Sequence, residues 1–164
     1  MMTGLRQDMN RTFTAVGWSR FADITEPGSH LLTMEFLTTL HVETVGKETK
    51  IYVHFLDKFF EMKLRDFSSV GFSKKYTLRA TARTEEHDYD RSAWWNKISD
   101  EPVSSKNNIV SIHDPTLRVL TKYLAMVVFS RADLRLCSSS ELMCLFAMAK
   151  KIRYSPIMGM ITHW

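Results

Sequence analysis

The side chains with which this chain could do chemistry are six histidines, two cysteines and the serine run Ser138–Ser140. Their spacing argues against most of that chemistry. His30, His41, His54, His87, His113 and His163 include no H-x-x-x-H pair, and Cys137 and Cys144 form no C-x-x-C, so the usual zinc-ligand geometries are not written into the chain. His87 lies between Glu86 and Asp88, a weak metal-site pattern that reads more simply as a solvated charge run. His113 precedes Asp114, as an acid–base dyad would, but Pro115 follows, and Asp-Pro is a helix start. No G-x-S-x-G elbow surrounds the serines, and Ser138-x-x-Glu141 is a capping box. The six glycines are scattered singly, so no glycine-rich phosphate loop exists. The acidic residues from Glu85 to Asp90 lack a catalytic partner set. The expectation is a non-enzyme with no catalytic residue, no metal, no cofactor and no small-molecule substrate.

Binding is a separate matter. Lys74, Lys75, Arg79 and Arg83 surround Tyr76, and Lys150, Lys151 and Arg153 adjoin Tyr154. Basic residues beside rings can hold phosphates and stack bases. The competing reading is an exposed loop and a helix C-terminus whose cations complement the dipole. Arg118, opposite an apolar helical face, is the remaining candidate contact. A net charge of +4 and a pI near 9.1 permit a nucleic-acid partner without requiring one. No zinc knuckle or RNP-type motif adds to the case.

The elements that position these residues follow from periodicity. Residues 1–28 are expected as a weakly structured N-terminal segment, although Leu5, Met9, Phe13 and Val16 fall at helical spacing. Ser29 caps a predicted helix from His30 to about Val42. Ile51, Val53 and Phe55 alternate with polar neighbours, Leu56-Asp57-Lys58 turns the chain, and Phe59 to Leu64 returns it as the second strand of a hairpin. A short helix from Arg65 to Val70 follows, with Gly71 as its cap. A helix capped by Asp90 carries Trp94 and Trp95, which cannot easily both point inward; one is expected on a partner surface. Asp114-Pro115 opens a helix to about Ser130, the capping box opens one through Ala149, and Ser155-Pro156 opens a last one. Leu117, Leu120, Leu124, Leu142, Leu145 and Phe146 are the predicted core.

With 164 residues, 45% hydrophobic and 24% charged, the chain has the size and composition of one globular domain. The fold class expected is mainly α with one β-hairpin, in a single helical domain. Two cysteines in apolar helical sequence read as buried thiols in a reducing, intracellular setting. No apolar run approaches the ~20 residues needed to span a bilayer, and Met1 to Arg11 has no signal-peptide pattern. A chain ending mid-helix on Trp164 reads as a truncated piece of a longer protein. Its last turn, near Ile157, Met160, Ile161 and Trp164, is then expected to expose apolar surface and drive self-association.

The order of motifs carries a resemblance. F-L-T-T-L (Phe36 to Leu40), I-Y-V-H-F-L-D-K-F-F-E-M, L-R-D-F-S-S-V-G-F (Leu64 to Phe72), W-W-N-K-I-S, S-I-H-D-P-T-L-R-V-L-T-K-Y-L-A, F-S-R (Phe129 to Arg131) and E-L-M-C-L-F-A-M follow one another. This resembles the C-terminal domain of the protein from the first open reading frame of Athila-type plant retrotransposons, over about residues 29–164. Two positions depart from the pattern: Val70 stands where Leu is usual, and Ser130 where Gly is. The resemblance implies a retroelement-encoded, non-catalytic, Gag-like structural or interaction protein. The family has no catalytic residue to carry over. Its first rival is a nucleic-acid-binding module for RNA or single-stranded DNA, and its second, less favoured, an enzyme of unknown type.

Overall fold

A computed structural model describes residues 2–25, 27–68 and 88–163. In chain order the elements are α1 (Met2–Val16), α2 (Ser19–Ala22), α3 (His30–Thr39), β1 (His41–Val45), β2 (Glu48–Phe55), β3 (Lys58–Lys63), α4 (Leu64–Ser68), α5 (Arg91–Ile98), β4 (Asn107–Asn108), α6 (Pro115–Tyr123), β5 (Leu136–Cys137), α7 (Ser139–Ala149) and α8 (Ile157–His163). A 3-10 turn covers Ile109–Ser111, and a π-helical stretch, Leu124–Val128, prolongs α6.

The helical body gathers α1, α5, α6, α7 and α8 around one core. The capping signals act as expected. Asp114 accepts from the Thr116 and Leu117 amides at 2.7 and 3.1 Å, Asp90 accepts from Ala93 at 2.6 Å, and Ser138 and Glu141 close a capping box. Each satisfies amides that a helix start leaves without intrahelical partners. In α7, Leu142, Cys144, Leu145, Phe146, Ala147 and Met148 are all buried. Of the predicted core, Leu120, Leu124, Leu142, Leu145 and Phe146 are buried and Leu117 is half-buried.

The expected class, mainly α with one hairpin, is corrected. β1, β2 and β3 form a three-stranded antiparallel meander, and β4 pairs antiparallel with β5 as a second small sheet. The helix predicted over 30–42 stops at Thr39, and His41 to Val45 pairs in register with Tyr52 to Glu48. His-Val-Glu-Thr-Val is a β-branched alternating run, and a ready partner strand decides such short sequences. Gly46, at φ +62°, is the left-handed residue of the new turn. The hairpin read from the sequence is present as β2–β3, turning at Leu56 and Asp57, both left-handed at φ 48° and 61°.

The segment 1–28 is also more structured than expected. α1 and α2 occupy it, and Phe13, Val16 and Trp18 enter the core at 5%, 0% and 0% exposure. Trp18 Nε1 donates to the Tyr154 carbonyl at 2.9 Å, which ties this segment to the chain's far end. Neither Trp94 nor Trp95 lies on a surface, because α7 and the connection leading to α6 both pack on α5. Phe146 meets the Trp94 ring edge-on at 5.3 Å, and His113 N donates to the Ile98 carbonyl at 2.9 Å. Ile157, Met160 and Ile161 of α8 are buried at 4%, 4% and 8%, so the apolar surface expected there is inside the domain. Trp164 and the candidate cap Gly71 lie outside the described residues.

Candidate interaction surface

The meander carries α3 on one face, and polar and aromatic anchors hold the two together. Ser29 caps α3 by accepting from Leu32 N at 3.4 Å. At the other end Thr39 Oγ1 donates to the Glu35 carbonyl at 2.7 Å and accepts from His54 N at 3.0 Å. Glu35 Oε1 accepts from Leu56 N at 2.8 Å, so the one carboxylate of α3 is spent on the β2–β3 turn. The Phe36 ring stacks on Phe55 at 5.8 Å and on Phe67 of α4 at 6.0 Å.

These anchors use only part of an apolar helix. No residue of α3 is fully buried. Leu31 is 70% exposed and Met34 47%, and the pair forms an outward ridge. Beside the ridge lies an open groove of about 830 Å³ lined by Pro27, Leu32, Phe36, Leu37, Phe55, Met62 and Phe67, with Ser29, Thr33 and Ser130 as its polar rim. Of the eleven exposed large apolar side chains among the described residues, nine lie between Ile24 and Phe60, so apolar exposure is concentrated on this unit and its approach.

The opposite face of the meander is polar and self-paired. Lys50 meets Glu61 at 2.6 Å and Lys63 meets Glu48 at 2.7 Å across the strands. The Glu61 hydrogen bond raises the Lys50 pKa, and the Lys63 hydrogen bond lowers that of Glu48. His41, Tyr52 and Phe59 form a row at 5.9 and 6.0 Å. Cross-strand pairs of this kind stabilise a sheet. They also engage the lysines that a phosphate would need.

Of the residues singled out for nucleic acid, Lys74, Lys75, Arg79 and Arg83 lie outside the described residues, as do Tyr76 and His87. Lys150, Lys151 and Arg153 come together, exposed, at the end of α7, with the Lys150 ammonium 5.9 Å over the Phe146 ring. Arg118 stands apart on α6 and is half-buried. Tyr154 is buried against Trp18, with ring centroids 4.9 Å apart, and cannot stack on a base.

Among the described residues, no group of three His, Cys, Asp or Glu side chains could hold a metal ion. His113 Nε2 pairs with Asp100 at 2.6 Å instead of with Asp114. Cys137 and Cys144 are free and buried, and burial pushes the Cys144 thiol up to about 12 and the Cys137 thiol up as well. Such thiols are poor nucleophiles. Among the described residues, no helix is long and apolar enough to cross a membrane.

The sequence reading missed one pair. Glu141 is fully buried, and both its oxygens accept from Arg131 Nη1 at 2.7 and 2.8 Å; Oε2 also accepts from Ser138 N at 2.6 Å. The capping box signalled Glu141, but nothing in the spacing signalled Arg131. The groove was missed for a similar reason, since apolar periodicity reports which side chains share a face but not whether the face is covered. Comparison of the chain with protein-family models, curated proteins and solved structures finds no match.

Proposed function

We propose that this chain is a non-catalytic interaction module of a retroelement-encoded, Gag-like structural protein. The observation that carries the interaction reading is the exposed apolar ridge and groove of α3 and the meander. Contiguous apolar surface of this extent marks a contact site in soluble proteins. The retroelement reading rests on the ordered motifs. One departure from that pattern has a physical counterpart: Ser130 has φ +47°, the left-handed backbone that glycine suits, and glycine is the residue the pattern puts there.

The surface is tested with an apolar fluorescent dye, anilinonaphthalene sulfonate, on the native chain. Binding that is lost in Leu37→Glu supports the reading; a native chain that binds no dye at concentrations where it is monomeric overturns it. Flanking protease, reverse-transcriptase and integrase frames in the genomic locus would support the origin, and a locus without them would count against it. A salt-dependent mobility shift with RNA or single-stranded DNA would favour the nucleic-acid rival instead.

A further inference from the structure

We infer that the groove is filled by the Leu31–Met34 ridge of a second copy of this chain, in a two-fold symmetric dimer. The inference rests on the interaction reading and commits it to one partner. Large apolar side chains left together in water mark a contact surface. In α3, His-Leu-Leu-Thr-Met-Glu-Phe-Leu-Thr-Thr, the only carboxylate is already bonded to the Leu56 amide, yet no residue is fully buried. Among the described residues nothing covers this side of α3, and a cover for it must be apolar.

The chain itself presents such a cover beside the groove. Leu31 and Met34, three residues apart, project as a ridge, while Leu32, Phe36 and Leu37 of the same helix wall the groove. Knob and hole on one helix make a self-complementary patch, the requirement for an isologous interface. Charge agrees with this. From Pro27 to Leu37 the only ionisable side chains are His30 and Glu35, and Glu35 is engaged at the hairpin turn. Two copies can thus approach across a two-fold axis without opposing like charges.

Size sets the strength of the pair. Leu31, Leu32, Met34, Leu37 and Phe60, 38% to 70% exposed, leave on the order of 400 Å² of side chain in water. The groove floor of Phe36, Phe55, Met62 and Phe67 adds to this. The total stays below the ~800 Å² per partner that a standard interface buries, which makes the dimer a weak one.

Sedimentation of the full chain across concentration, beside Leu31→Glu/Met34→Glu, tests the dimer. Both positions are exposed, so the variant should keep its near-ultraviolet dichroism and melting temperature when measured as a monomer. The expected result is a concentration-dependent dimer that the double variant weakens at least 100-fold. A second variant, Leu31→Cys/Leu37→Cys, places a ridge thiol against a groove-wall thiol of the other copy and should form an intermolecular disulfide under mild oxidation. A folded double variant that dimerises like the parent overturns the inference. A parent that stays monomeric at every concentration also overturns it, and its dye binding then shows which reading failed. Dye bound means the surface takes a different partner; no dye bound means the interaction reading fails with it.

Discussion

In α7, the buried side chains Leu142, Cys144, Phe146 and Ala147 reach round the helix, and each side meets a neighbour. In α3, Leu31, Phe36 and Leu37 do the same, but among the described residues only the Phe36 side is covered. Both helices carry bulky apolar side chains, α7 the more of them, and the two have opposite fates. α7 is surrounded because α1, α5 and α6 converge on it. α3 rests on a three-stranded sheet that offers one face. The difference teaches that bulky apolar side chains favour burial, while the number of elements around a helix decides how many of them are buried.

Core truncation should separate the two regions most strongly. Leu120→Ala and Leu145→Ala, at fully buried positions, should each cost about 2–5 kcal/mol. Leu31→Ala in α3 should stay within about 0.5 kcal/mol when measured at concentrations where the chain is monomeric. Urea midpoints check this, and equal losses in both regions would break the comparison.

Next in size is Glu141→Gln. It leaves Arg131, 22% exposed, beside a neutral partner and weakens the start of α7, so a loss of roughly 2–4 kcal/mol is expected. The double variant with Arg131→Met should recover part of that loss, because it removes the unpaired charge. If Glu141→Gln melts with the parent, the pair does not stabilise the body.

The buried thiols give the body an alkaline pH signature. Burial raises the Cys144 pKa from 9.0 to about 12 and that of Cys137 in the same direction. The unfolded thiols ionise first as pH rises. Stability from this source is therefore complete below about pH 9 and declines as pH climbs toward 12. Burial likewise raises Tyr89 to about 12, which extends the same alkaline decline. Disulfide-exchange reagents at pH 8 should label neither cysteine until urea unfolds the chain. Rapid labelling of the native protein would show that the body is open.

The smallest effect lies at the junction of the two regions. Ser130, at φ +47°, lines the groove, and Ser130→Gly relieves a left-handed strain while adding chain entropy to the unfolded state. A net gain of about 0.5–1 kcal/mol is expected. Destabilisation would mean that the Ser130 side chain holds the groove rim in place.

Local signals in the sequence determined a good deal. Asp90, Asp114, Ser138 and Ser29 start helices because each can bond amides two or three residues ahead, whatever lies around them. The β2–β3 hairpin follows from alternation and a two-residue turn. The tertiary structure decided the rest. His41–Val45 became a strand because β2 offered it partners, and Trp94, Trp95 and α8 went inside because neighbours distant in sequence closed over them. Arg131 found Glu141 only once the chain had folded between them. The groove beside α3 is the clearest case: its apolar residues are legible one by one, but a surface is left open by the elements that do not cover it, and no local pattern of residues records that.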